Sequence, residues 1–327
     1  MDGARPMLAI DADALAAAID PGWLVDYLRA GHAAPMAAVE QMLLSESRAD
    51  GDSDHFLVWA AWRPGSGLAS KLVTVFPDNE RRGIGDNIRS VVVLFDGDGR
   101  PQAVITGESF TRMKTAADSA LGASLLARPD AETLTVLGAG SQAETQIRHL
   151  VAVRPSIRRV LVWNRTLDKA AALAERSARP GLSVAATADA AAAVGEADIV
   201  SCVTAARAPV LAGAWLRPGA HVDLVGSFTP QMRESDDEVM RRGRIFVDTR
   251  RFTLEQSGDL SQPFKTGVID AAAIAADLFE LCAGRVGGRR SPEEITVFKN
   301  GGGGHLDLMV AQALFAKAAA GRHDPVR

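Results

Sequence analysis

One stretch near the middle of the chain limits the fold more than any other. Leu134-Thr135-Val136-Leu137 is a short apolar run of strand type, and Gly138-Ala139-Gly140-Ser141-Gln142-Ala143 follows it with no spacer. A helical stretch then runs from Ala143 toward Val153. Gly138 permits a tight turn, Gly140 lets the backbone approach a ligand closely, and the small Ala143 lets helix pack on strand. The unpaired N–H groups at the start of the helix can receive phosphate oxygens. A lone G-x-G-x-x-A is also compatible with an ordinary βα turn. Here a second strand, Val160-Leu161-Val162-Trp163, follows at the distance a βαβ unit requires. The pattern predicts dinucleotide binding, with Gly138, Ala139, Gly140, Ser141 and Gln142 at the pyrophosphate.

The tip of that second strand reads Asn164-Arg165-Thr166, with Lys169 close behind. Enzymes that use NAD usually place Asp or Glu here to accept from the ribose 2′-hydroxyl, and such a carboxylate would repel a 2′-phosphate. None is present. Asn164 and Thr166 can hydrogen-bond, while Arg165 and Lys169 can pair with phosphate. NADP(H) is the expected cofactor, with NAD(H) left open.

The rest of the chain divides around this unit. Up to Arg128-Pro129-Asp130 the pattern is α+β. Helices are expected over 11–30, broken at Asp20-Pro21-Gly22, over 36–47 and over 109–127. Strands are expected over 56–62, 71–76, 90–95 and 101–106, the last two joined by the hairpin signal Asp96-Gly97-Asp98-Gly99. From Glu132 the pattern alternates. Strands are expected at 134–137, 160–163, 183–186, 198–203, 220–225 and 244–248, with helices over 141–153, 166–178, 187–195 and 233–241. That order implies a parallel sheet covered on both faces. A glycine run, Gly301 to Gly304, precedes a helix expected over 305–320. The arginines at 241, 242, 244, 289 and 290 read as solvated charges.

Composition excludes several classes. At 327 residues two domains are expected, and 47% hydrophobic residues suffice for their cores. A net charge of −4 gives no support to nucleic-acid binding. No apolar run reaches the roughly 18 residues of a membrane span, and no signal-peptide pattern is present. Two cysteines far apart, Cys202 and Cys282, suit a reducing cytoplasm. No metal site is expected: there is no H-E-x-x-H and no paired-cysteine motif.

Several segments together resemble the ornithine cyclodeaminase/μ-crystallin family. They are Lys71 to Pro77, Lys114-Thr115-Ala116-Ala117-Asp118 with the following Ser119 to Ala123, Leu126 to Asp130, the glycine turn with Gln142, Asp198 to Thr204, and Ile295 to Lys299. The resemblance implies an α/β fold: a Rossmann dinucleotide-binding domain (131–299) inserted into an α+β substrate-binding and dimerisation domain (1–130 with 300–327). It implies a homodimer, a small-molecule substrate, and hydride transfer at a carbon that bears nitrogen and a carboxylate.

Departures from the family pattern narrow the chemistry. Cyclodeaminases carry an acidic residue after the fifth Rossmann strand. The alignment of Val222 to Ser227 places Phe228 there, and a phenyl ring neither exchanges protons nor pairs with an ammonium. Phe228 offers an apolar wall for a small ring. The run Gly226 to Glu234 is most similar to the Δ1-pyrroline-2-carboxylate reductases, so a cyclic imino acid is the expected substrate.

Lys71 matches the family's carboxylate-binding lysine and is a catalytic candidate. Lys114 stands where most members have arginine and serves substrate, cofactor phosphate or both. The family's further arginine near residue 36 is missing from Pro35-Met36-Ala37, and Arg89 or Arg48 are the candidate replacements. His305 is the first candidate proton donor, with Asp307 or a water as alternatives. At the strand ends, Thr204 and Ala205, then Val225, Gly226 and Ser227, are expected to border the nicotinamide side of the cofactor. The resemblance brings Lys299, Asn300 and Thr115 to the same region.

Three alternatives stay open. Ornithine cyclodeaminase would release ammonia from ornithine with NAD. An alanine dehydrogenase type of reductase would need an open-chain oxo acid and ammonia. A non-catalytic protein would use NADPH only to shape a ligand pocket.

Overall fold

A computed structural model of the chain describes residues 6–48 and 53–321. The chain divides into two compact units. Of the described residues, the first comprises 6–20, 35–48, 53–114 and 303–321, and the second 21–34 and 115–302.

The first unit is built on a six-stranded sheet. Its strands are β1 (Leu8–Asp11), β2 (Ala38–Ser47), β3 (Ser53–Arg63), β4 (Gly67–Val75), β5 (Ile88–Phe95) and β6 (Pro101–Thr106), in the order β1-β6-β5-β4-β3-β2. β2 to β6 run antiparallel in succession, and β1 joins β6 in parallel. Asp11 caps the short α1 (Ala12–Ala16) by accepting from the N–H groups of Asp13 and Ala14. The terminal helix α11 (Gly304–Gly321) lies on β3 and β4. Its Leu306, Leu308, Met309, Val310, Ala311, Ala313 and Leu314 are all buried. A helix apolar on nearly every face belongs in a core, and each buried leucine stabilises the unit by about 1.5–3 kcal/mol.

The expected helix over 36–47 is β2 instead. Its ten residues pair in unbroken register with β3, from Ala38 opposite Trp62 to Ser47 opposite Ser53. Glu40, Gln41, Met42, Leu43 and Leu44 favour helix locally, and the ladder overrides that preference. β2 is an edge of the sheet, and Met42, Leu43 and Leu44 are 48%, 58% and 54% exposed.

The second unit holds an eight-stranded parallel sheet in the order β13-β12-β14-β11-β10-β7-β8-β9. Its strands are β7 (Thr133–Leu137), β8 (Arg159–Trp163), β9 (Ser183–Thr187), β10 (Ile199–Cys202), β11 (His221–Leu224), β12 (Arg244–Val247), β13 (Ile274–Asp277) and β14 (Thr296–Lys299). Its helices are α2 (Pro21–Ala33), α4 (Ala143–Val153), α5 (Leu167–Ser177), α6 (Ala190–Glu196), α7 (Asp237–Arg242), α8 (Arg250–Gln256), α9 (Gly258–Lys265) and α10 (Leu278–Cys282). The chain leaves the first unit within α3 (Ser109–Leu126), between Lys114 and Thr115. The central strands β7, β10, β11 and β14 are buried along nearly their whole length, as a parallel sheet covered by helices on both faces requires. Two buried clusters result, one around Val200, Val222, Val239 and Val297, the other around Leu134, Ile147, Val160 and Leu173.

The unit boundary differs from the one read at Arg128-Pro129-Asp130. The second half of α3 belongs to the second unit, where Gly122 leaves room for the Phe298 ring. So does α2, whose Leu24, Val25 and Leu28 are buried and which packs on α4 and α10. Of the arginines read as solvated, Arg241 and Arg290 are exposed, whereas Arg242, Arg244 and Arg289 are structural. Arg289 donates to the carbonyls of Leu126, Ala220 and Glu294 and to Thr296 Oγ1. Arg242 donates to those of Gly213 and Leu216, and Arg244 to that of Gly288. Carbonyls at helix and strand ends need donors when water is excluded. Among the described residues no helix is long and apolar enough to cross a membrane.

Candidate active site

The second unit carries a glycine-rich turn at the carboxyl ends of β7 and β8. Gly138 has φ +117°, and its N–H donates to the Trp163 carbonyl over 2.8 Å. A Cβ there would lie 2.7 Å from the Val203 carbonyl oxygen, so the turn presses against the end of β10. Gly140 is the opposite case: a Cβ would meet nothing within 4 Å. No protein group explains a glycine there, and a ligand backbone passing over it would. Ser141 is exposed beside it, and Gln142 bonds Gln146. Ala143 is fully buried, as helix-on-strand packing requires.

Asn164 sits at the tip of β8. Its Oδ1 accepts from the Ala139 N–H at 3.2 Å and its Nδ2 donates to the Thr166 carbonyl at 2.9 Å. Its side chain therefore braces the glycine turn. Arg165, Thr166 and Lys169 are exposed at the same tip. A nicotinamide dinucleotide fits these residues: Gly138–Gln142 would take the pyrophosphate and Asn164–Lys169 the adenosine end.

At the ends of β10 and β11, one carboxylate holds the backbone. Glu234 Oε1 accepts from the Thr204 N–H at 2.6 Å and from the Thr204 hydroxyl at 2.8 Å. Its Oε2 accepts from the Gly226 N–H at 2.6 Å. Ala205 and Val225 flank these contacts and keep some exposure. Ser227 is buried, donating to the Met232 carbonyl. Phe228 is 71% exposed.

Two expected cofactor contacts turn out to be structural. Lys299 is fully buried at the end of β14, and its Nζ donates to the carbonyls of Leu224 and Asn300 at 2.9 and 2.8 Å. It is the cation that faces the buried Asp223, Glu234 and Asp248. Asn300 Nδ2 donates to the Thr115 carbonyl and Ser119 Oγ. Both side chains are spent inside the unit, because a parallel sheet that buries several carboxylates needs a cation and donors of its own.

The first unit carries the cation site. Lys71 on β4 and Lys114 on α3 both donate to Asp307 Oδ1 in the first turn of α11, at 3.2 and 2.7 Å. The side chains of Lys71, Lys114 and Asp307 are only 10%, 7% and 2% exposed. The helix N-terminus favours a carboxylate at Asp307. Lys71 Nζ also lies 5.9 Å from the Trp59 ring centroid. Burial lowers the Lys71 value to about 8, and neighbouring Lys114 pushes the same way against the pull of Asp307. Burial alone would raise the Asp307 carboxyl; Lys114 and Lys71 outweigh it and hold it below its ordinary value. Two cations on one carboxylate leave a net positive charge. Each ammonium has three donors and spends one on Asp307. Asp307 Oδ2 is buried with no hydrogen-bond partner among the described residues. His305, two residues earlier, is fully buried.

The proposed replacements for the missing arginine do not join this cluster. Lys71 lies opposite Val92, and Arg89 lies opposite Thr74, three residues along, so Arg89 projects from the other face of the sheet. It is exposed and donates to the Ile84 carbonyl. Arg48 is paired with Asp78 at 2.9 Å and with Asp54 at 3.5 Å. Glu234 was not anticipated as a functional residue. Its partners lie 30 and eight residues away, so no local motif marks it.

Residues 56–322 match the model of the ornithine cyclodeaminase/mu-crystallin family. The Δ1-pyrroline-2-carboxylate reductase of Paracoccus denitrificans (strain Pd 1222) is 45% identical over 298 residues, which cover 91% of this chain and 92% of that protein. Among solved structures, the Thermococcus litoralis Δ1-pyrroline-2-carboxylate reductase in complex with NADH and L-proline superposes with a TM-score of 0.87 at 30% identity. That match covers 97% of this chain and 98% of that one. The iminosuccinate reductase of Paracoccus denitrificans in complex with NAD+ gives 0.84 at 27% identity, over 97% and 98% of the two chains. A glycine turn, a parallel sheet and a paired-lysine cluster thus agree with similarity along nearly the whole length, and the chain belongs to the ornithine cyclodeaminase/mu-crystallin family.

Proposed function

We propose that the protein is an oxidoreductase that reduces Δ1-pyrroline-2-carboxylate to L-proline, and its six-membered homologue Δ1-piperideine-2-carboxylate to L-pipecolate. The observation that carries this reading is the buried Lys71–Asp307–Lys114 cluster. Its net positive charge and spare N–H donors suit a carboxylate taken out of water. The unpartnered Asp307 Oδ2 suits the N–H of a protonated ring nitrogen. The bound reduced nicotinamide supplies a hydride to the carbon of the C=N bond. The protein must then supply one proton to the nitrogen. Lys71, charged at neutral pH yet with a value near 8, is suited to deliver it. His305, buried two residues before Asp307, is the second donor candidate. Phe228, a phenyl group where a cyclodeaminase needs an acid, favours reduction of a ring over deamination.

The tip Asn164-Arg165-Thr166, which has no carboxylate, with Lys169 on the turn that follows, supports a preference for NADPH over NADH. The exposed apolar edge of β2 supports a homodimer, since an unpaired edge carrying Met42, Leu43 and Leu44 invites a second copy. Both cysteines are free thiols, in keeping with a cytoplasmic setting.

The test is dinucleotide consumption with five- and six-membered cyclic imino acids, each with NADPH and NADH. Turnover of the rings with the higher kcat/KM for NADPH is expected. A higher kcat/KM with NADH would remove the NADPH preference. Robust ammonia release from L-ornithine with NAD, or turnover only of pyruvate with ammonia, would overturn the reductase reading. Dinucleotide binding without turnover of any imine would leave only a ligand-binding role.

A further inference from the structure

Glu234 is a costly residue. It is fully buried, and its neighbour Asp259 on α9 is another fully buried carboxylate. Asp259 Oδ1 accepts from the N–H groups of Glu234 and Ser235 and from the Ser235 hydroxyl, so it fixes the loop that carries Glu234. Two buried acids so near each other destabilise a fold unless their oxygens are well used. Those of Glu234 are used on the backbone at the ends of β10 and β11. The two strand ends touch: a Cβ on Gly226 would fall 1.8 Å from the Thr204 carbonyl oxygen. The end of β10 also forms the wall behind Gly138, whose Cβ would meet the Val203 carbonyl and, at 3.1 Å, the Thr204 methyl.

We infer that Glu234 is a positioning residue for the dinucleotide: its ionised carboxylate clamps Thr204 to Gly226 and so holds the floor against which the glycine turn is set. The inference rests on the dinucleotide-dependent reading above. Only the carboxylate offers acceptors at both oxygens without a proton in the way. Charged and titratable groups around Glu234 are Asp259 on α9, Lys299 on β14 and Cys202 on β10, with Asp223 and Asp248 sharing Lys299. The neighbouring Arg233 is turned to the Ser235 carbonyl and Asp237. Burial first, and Asp259 second, raise Glu234 to about 7, against the pull of Lys299. The clamp is therefore complete above that value and released below it.

The experiment is titration of the full-length protein with NADH, which lacks the 2′-phosphate, followed by fluorescence across about pH 6 to 8. Wild type is expected to bind about five- to tenfold more tightly at the upper end than at the lower. Glu234→Gln replaces one acceptor with an NH2 donor, so it is expected to bind about tenfold more weakly at the upper end and to lose the pH dependence. Wild-type affinity and an unchanged pH profile in a folded Glu234→Gln protein would overturn the clamp. If that variant does not fold, a wild-type affinity constant across the range would overturn it instead. A wild-type protein that binds no dinucleotide at the upper end would sink the functional reading itself, and the clamp with it.

Discussion

Lys71 sits under opposing influences that set its chemistry. Its desolvated ammonium repels Lys114 and is held by Asp307, and the balance leaves it near 8 against an ordinary 10.5. The charged form, which the proposed reaction needs to bind a carboxylate and give up a proton, is thus lost as pH rises through about 8. The kcat/KM for imine reduction is expected to fall on the alkaline side with an apparent value near 8. Lys71→Met should lower kcat/KM about a hundredfold while leaving NADPH affinity in place. A variant at His305 that shifts the alkaline limb while Lys71→Met does not would transfer the proton-donor role to the histidine. Asp307 answers to the same balance. Asp307→Ala leaves two buried ammonium groups facing each other, and should destabilise the protein by about 3–5 kcal/mol in denaturant unfolding. Lys71 and Lys114 were legible as candidates from the resemblance. That they share one carboxylate oxygen was not, because Asp307 lies more than 190 residues from either.

At the scale of the element, the glycine turn separates two kinds of glycine. Gly138 has a positive φ and a backbone oxygen in the way of any Cβ. Gly140 has neither. Gly138→Ala is expected to lower Tm and to lose dinucleotide binding together. Gly140→Ala is expected to keep the wild-type Tm and lose about tenfold in NADPH affinity, checked by thermal scanning beside a binding titration. A loss of stability at Gly140 would mean the position serves the fold. Six of the eight strands of the parallel sheet were readable from sequence, 134–137 and 160–163 as apolar runs within β7 and β8, whereas β13 and β14 were not. β2 was not readable, because a strand at an exposed edge carries no such run and its Glu, Gln, Met and Leu residues favour a helix.

At the scale of the whole molecule, the same edge bears on assembly. Leu43 is 58% exposed in the middle of β2, at the outer limit of the sheet. Leu43→Glu places a charge on that edge and is expected to convert a dimer to a monomer in size-exclusion chromatography with light scattering. A wild-type protein that already elutes as a monomer would end the dimer proposal. The division of the chain also escaped the sequence. The Pro-containing link at 128–130 resembles a boundary, yet the contacts change hands inside a continuous helix, which shows no break in pattern.

The early excursion of the chain into the second unit limits how that unit can be transplanted. A gene fragment cut at 131–299 would omit α2 and with it Leu24 and Leu28, both fully buried. The surfaces of α4 and α10 that receive α2 would be left bare and oily, inviting aggregation. Swapping cofactor modules between relatives therefore calls for a splice that carries the 21–34 hairpiece along, or a graft that supplies that helix as a separate peptide.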